Sequence, residues 1–188
     1  MAMAVPRDDL SLAFVNTRYW RGRARPTETL QAPDDLAAWW KGETGEALPA
    51  PEAAWFGAAL ALREALHGLF AARASEAPPP ADDLAVLNTA LQAAPARRQL
   101  AWAGDGLDWA VETASAWEGV RARLLWSAAE LLTGPRRERV RQCDNPECRY
   151  LFLDASKAGN RRWCDMASCG NRAKAHRHYR RRRAAEAG

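Results

Sequence analysis

"CDNPECRYLFLDASKAGNRRWCDMASCGNR", residues 143–172, holds all four cysteines of the 188-residue chain. Cys143, Cys148, Cys164 and Cys169 are spaced C-x4-C-x15-C-x4-C. Two close pairs separated by a loop of this size suit a tetrahedral ion, because each pair supplies two ligands from one tight turn. Zn–S bonds of about 2.3 Å then require all four sulfurs to converge. Asn145-Pro146, inside the first pair, favours a turn. Between the pairs, Tyr150-Leu151-Phe152-Leu153 reads as a strand and Ala158-Gly159-Asn160 as the turn back. The second pair enters a helix with Asp165 as its cap. Knuckle, hairpin and helix describe a treble-clef-like four-cysteine finger that holds one Zn2+ per chain.

Other uses of the four thiols fit less well. The opening "MAMAVPRDDLSL" has neither a basic n-region nor an apolar h-region. The chain therefore reads as cytoplasmic, where disulfides rarely persist. A redox dithiol usually shows a C-x-x-C pair, and neither pair here does. Arg141, Arg149, Arg161, Arg162 and Arg172 surround the ligands in sequence, and their charge favours deprotonated thiols.

The charge is divided along the chain. Residues 1–139 hold 15 Lys/Arg and 18 Asp/Glu, whereas residues 140–188 hold 12 and 5. A near-neutral body carrying a basic tail piece points to a polyanionic partner. Arg172, Lys174, Arg177, Arg180, Arg181, Arg182 and Arg183 crowd the segment from Gly170 to Arg183, which holds no acidic residue. A helix with this much repulsion is poor unless an anion neutralises it. Two readings stand: contacts to nucleic-acid phosphates, or a solubilising, fraying end. Charge alone does not separate DNA from RNA. His176 and His178 are expected to be exposed or near phosphate, since four cysteines already fill the metal site.

Residues 1–139 read as a multihelical domain, which makes the chain mainly α with a small β-hairpin, followed by the finger in residues 140–188. One helix is expected over 8–20. Another, over 33–42, has Asp34 or Asp35 near its cap and Gly42 at its end. Residues 52–73 place Trp55, Ala59, Leu62, Leu66 and Leu69 on one stripe, with Arg63, Glu64 and Arg73 elsewhere. Residues 82–93 follow, with Leu84, Leu87 and Leu91 as their stripe. Alternating residues over 98–112, around Gly104-Asp105-Gly106, read as a hairpin. A last helix over 114–133 faces Trp117, Val120, Leu124, Ala128 and Leu131 inward, and Gly134 offers a left-handed stop. Most of the nine tryptophans are expected in the core, although Trp39 and Trp40 cannot both face inward. Asn16-Thr17-Arg18 either lines a pocket or forms an internal hydrogen-bond network.

The finger and its upstream partner resemble known families. "CDNPECRYLFLDASKAGNRRWCDMASCGNRAKAHRHYRRRR" (143–183) is similar to the bacterial CGNR zinc finger, whose signature stands here as Cys169-Gly170-Asn171-Arg172. Phe152, Asp154, Arg161-Arg162-Trp163-Cys164 and Lys174 match as well. Upstream, "LAFVNTRYW" and "LREALHGLF" resemble the ABATE domain. The resemblance implies a stress-related transcription regulator with the finger as its DNA-binding part.

The function expected is thus zinc-dependent binding of nucleic acid, double-stranded DNA first. The N-terminal domain would sense a small-molecule effector or form a homodimer. The alternative is a zinc-stapled module for protein interaction or RNA binding. An enzyme is not expected, because a four-thiolate site is closed and residues 149–163 contain no histidine base. No stretch reads as a membrane span, since the Ala-rich runs are broken by charge.

Overall fold

The computed structural model describes residues 9–97, 99–103, 106–110 and 112–175. Helix α1 spans Leu10–Val15 and starts where Asp9 caps it, with Oδ1 accepting from the N–H groups of Ser11 (3.1 Å) and Leu12 (3.4 Å). The expected helix over 8–20 is cut to this short piece. It stops because Asn16 turns its carboxamide to the backbone of Leu151, while the Thr17 hydroxyl donates to the Phe14 carbonyl at 2.7 Å. Two short antiparallel strands follow, β1 (Arg18–Tyr19) and β2 (Thr27–Glu28). Between them Trp20 takes φ 54°, a conformation unfavourable for a bulky side chain.

Helix α2 (Pro33–Thr44) has proline at its first position and Asp35 at its entrance, whose carboxylate accepts from the N–H groups of Gln31 and Ala32 at 2.8 Å each. The helix passes through Gly42, the expected end, and stops at Gly45, whose φ of 79° makes the left-handed cap. Trp40 is buried, and its neighbour Trp39 lies half-buried against Phe14 with ring centres 5.3 Å apart. One of the pair faces inward, as the sequence required.

Helix α3 (Ala53–Ala74) buries Ala59, Leu62, Leu66 and Leu69, with Trp55 half-buried against Trp117. Arg63 was expected off this face, yet it is 2% exposed. Glu28 makes that possible by meeting its guanidinium with both carboxylate oxygens, at 2.7 and 2.5 Å. A bidentate pair of this kind offsets the cost of burying the cation.

In α4 (Ala81–Gln92) only Leu87 is buried; Leu84 is exposed and Leu91 half-buried, so the stripe is narrower than expected. Strands β3 (Gln99–Ala103) and β4 (Gly106–Ala110) form the expected hairpin, with Leu100 opposite Trp109 and Trp102 opposite Leu107. Helix α5 (Ala116–Thr133) buries the whole expected stripe, Trp117, Val120, Leu124, Ala128 and Leu131. Its stop differs in detail. Gly134 has φ −78°, so no left-handed cap forms; glycine suits the site because a Cβ would lie 2.5 Å from the Glu130 carbonyl oxygen. Of the nine tryptophans only Trp40 and Trp117 are buried, and Trp102 and Trp109 are exposed.

A 3-10 turn (Pro135–Arg139) leads into β5 (Val140–Gln142), which pairs antiparallel with β6 (Leu151–Leu153). The strand expected at 150–153 is therefore present, but its partner precedes it. Among the described residues no strand returns from 158–160. Asp154, just after β6, accepts from the N–H groups of Ser156 (2.9 Å) and Arg161 (2.8 Å) and curls that segment into a loop.

One apolar cluster joins Phe14, Trp40, Leu66, Phe70 and Leu124 to Val140 and Leu151. Packing is continuous across the 139/140 division drawn from the sequence. A second cluster consists of the four cysteines and Phe152, backed by Trp20, Tyr150 and Trp163. No helix of the described residues is long and apolar enough to cross a membrane.

Candidate metal centre and its basic surround

The first cysteine pair sits in the connection between β5 and β6. Cys143 donates its N–H to the Tyr150 carbonyl at 2.8 Å, and Cys148 donates to the Asn145 carbonyl at 2.9 Å, so both thiols leave one closed turn. Cys164 is held by Arg161, whose guanidinium donates to the carbonyls of Trp163 (2.8 Å) and Cys164. Cys169 belongs to a π turn (Met166–Gly170) closed by the Gly170 N–H on the Asp165 carbonyl at 3.1 Å. Asp165 is the expected cap, accepting from Ala167 (3.2 Å) and Ser168 (2.8 Å). A helical turn over 171–175 continues from it.

All four thiols are buried, and their sulfurs lie within 4.8 Å of one another. Cys148 and Cys164 are 3.7 Å apart, and Cys164 and Cys169 3.8 Å. A disulfide needs about 2.05 Å, and all four cysteines are free. Tetrahedral coordination with Zn–S bonds of about 2.3 Å needs sulfurs about 3.8 Å apart. The donor set fits that ion.

Crowding also shapes the acidity of the thiols. Hydrogen bonds from Cys148 and Cys164 hold Cys143 down at about 2, whereas the contact with Cys143 pushes Cys148 up to about 12. The Cys143 and Cys148 contacts push Cys164 far up. Four thiolates so close repel one another, and a dication is the natural counter-charge. Asn145 adds one donor, its side-chain N–H pointing at the Cys169 sulfur from 3.6 Å. Sequence reasoning saw the Asn-Pro turn but missed this aim, which depends on a residue 24 positions away.

Two of the five arginines flanking the ligands, Arg141 and Arg161, serve the backbone. Arg141 donates to the carbonyls of Glu138 (2.9 Å) and Gly159 (3.3 Å), and Arg162 pairs with Asp144. Arg149 is exposed, with φ 52°. Arg172 stacks on Trp20, with its guanidinium carbon 4.8 Å from the ring centre. Asp154, the carboxylate of segment 149–163, is structural. Burial opposes its ionisation, but the hydrogen bonds from Ser156 and Arg161 outweigh it and hold the carboxyl below its ordinary range.

Arg172 and Lys174 are exposed on the turn over 171–175. Arg177, Arg180, Arg181, Arg182 and Arg183, with His176 and His178, lie outside the described residues.

Asn16 and Thr17 form an internal network rather than a pocket wall. Asn16 donates to the Leu151 carbonyl at 2.7 Å and accepts the Leu151 N–H at 3.2 Å. The Thr17 hydroxyl accepts from Arg63 at 3.2 Å. Nearby, burial pulls the other way, but the Arg21 hydrogen bond holds Glu64 down at about 2. His67 stays neutral, because burial, then the Arg21 charge, lowers it to about 4.

The sequence pattern of the CGNR zinc finger matches residues 139–182. That of the ABATE family, described as "Putative stress-induced transcription regulator", matches residues 8–135. No curated protein matches the chain. With the larger part of its length covered, the chain belongs to the ABATE family, and a CGNR zinc finger follows the ABATE segment.

Proposed function

We propose that this chain is a zinc-dependent nucleic-acid-binding protein, a DNA-binding transcription regulator rather than an enzyme. One observation carries the reading: four buried sulfurs at tetrahedral spacing lead directly into a turn that exposes Arg172 and Lys174. When bound, zinc supplies the dication that offsets the thiolate charge and staples a segment with little core of its own. Cys143, Cys148, Cys164 and Cys169 would hold one ion per chain. Asn145 and Arg161 orient the ligand turns. Arg172, Lys174 and the arginines beyond them, Arg177 and Arg180–Arg183, would contact phosphates of double-stranded DNA. The ABATE segment would sense an effector or dimerise, and the protein would work in the cytoplasm.

The test combines metal analysis with binding. Reduced protein should contain one zinc per chain, and Cys164→Ser should lose it. Duplex affinity should fall steeply with salt, and Ala at Arg180–Arg183 should flatten the slope by about 2.7 if three phosphate contacts vanish. Absence of stoichiometric zinc, or indifference to salt and to these arginines, would sink the reading. The second reading, a zinc-stapled protein-interaction module, rests on the β3–β4 hairpin, where Trp102 is 73% and Leu107 67% exposed. Failure of nucleic-acid binding with zinc retained would favour it.

A further inference from the structure

The N-terminal segment 20–25 reads "WRGRAR" and touches the finger. Its three arginines have different fates. Arg21 points inward, with 10% of its side chain exposed, donating to the Val15 carbonyl (3.2 Å), the Arg18 carbonyl (3.0 Å) and Glu64. Arg23 stacks on Trp20 at 4.0 Å from the ring centre. Arg25 is exposed and forms no ion pair among the described residues. Gly22 presses the segment onto the first knuckle: its N–H donates to the Glu147 carbonyl at 3.1 Å, and a Cβ there would lie 1.7 Å from the Pro146 carbonyl oxygen.

Arg172 lies 4.8 Å from the same Trp20 ring that Arg23 covers at 4.0 Å. The two guanidinium groups therefore sit within one Debye length of each other, about 10 Å at 0.1 M salt. Lys174 follows Arg172 by two positions on the same exposed turn, and the exposed Arg25 follows Arg23 by two. Among the described residues Arg23 alone of these four has an ion-pair partner, Glu147, 3.0 Å away and 57% exposed. One carboxylate does not balance four cations, and a polyanion does. We infer that Arg23 and Arg25 of the ABATE segment form one phosphate-binding surface with Arg172 and Lys174 of the finger, and that its occupant is the backbone of duplex DNA. The inference rests on the nucleic-acid reading and deepens it, since that reading places every contact in the finger.

Zinc-loaded full-length chain is titrated with a random-sequence DNA duplex across a range of salt. Arg25→Ala should reduce the slope of log affinity against log salt by about 0.9, and the Arg23→Ala/Arg25→Ala pair by about 1.8. Glu147→Gln should do the reverse, tightening binding by releasing Arg23 to the phosphates. A misfolded variant does not gain affinity, so that arm guards against a trivial result. Unchanged slopes in both Arg variants, with Arg172→Ala still weakening the complex, overturn this inference and leave the finger reading standing. A parent chain that retains no duplex overturns both. Retention of single-stranded RNA alone overturns duplex DNA as the occupant.

Discussion

Asn16 offers its carboxamide to both backbone groups of Leu151, so one side chain gives β6 the pairing that a further strand would give. Asn16→Ala leaves a partly buried donor and acceptor unpaired and should cost roughly 1–3 kcal/mol in urea unfolding. The partner lies 135 residues away, which is why the sequence shows only a polar interruption of an apolar helix face. Arg63 was opaque for the same reason, because nothing local announces that Glu28 will neutralise it. His67 gives a pH dependence. Arg21, Arg18 and Arg149 face it as cations and Glu64 as the anion, and burial leads the effects that lower it from 6.5 to about 4. Between those values the unfolded chain takes up a proton there and the folded chain does not. Stability should therefore fall as pH drops from 6.5 to 4, by up to about 3 kcal/mol. His67→Leu should flatten this part of the profile, and urea midpoints of parent and variant that stay parallel would show another group at work.

The elements differ in how much packing supports them. Helix α5 buries seven residues of its length, including Leu124 and Leu125, and Leu124→Ala should cost about 2–5 kcal/mol through the cavity it leaves. The β3–β4 hairpin sets Leu100, Trp102, Leu107 and Trp109 on one face, and all four are exposed. Trp102→Ser should thus change stability by less than about 0.5 kcal/mol, measured by the same unfolding curve. Periodicity made α3, α5 and the hairpin legible, because their side-chain patterns repeat over several turns or pairs. It did not reveal that α4 buries one leucine, since burial depends on what lies opposite. The cysteine spacing made the metal cluster legible before any geometry. The order of its strands was not, because Leu151–Leu153 pairs equally well in principle with a segment on either side.

At the scale of the molecule, Val140 and Leu151 bind the two family segments into one core. Each fully buried side chain of this kind is worth about 1.5–3 kcal/mol. Chelation should therefore lower the thermal midpoint of the whole chain and not only melt the finger. A chain truncated after Pro135 should be less stable by roughly 3–6 kcal/mol, on the loss of these two side chains. Tryptophan fluorescence reports the N-terminal core through Trp40 and Trp117, so a chelator that leaves its melting curve unmoved would show that the core closes without the finger.

The fit of Gly22 under the first knuckle also limits how these segments can be recombined. With 1.7 Å between a would-be Cβ and the Pro146 carbonyl oxygen, no other residue enters that contact without displacing the backbone. A chimera that grafts residues 139–175 onto a foreign N-terminal segment inherits the thiols but not the seat. The transplant should keep its orientation only if residues 16–23 travel with it, carrying Asn16, Trp20 and Gly22 as a matched docking strip.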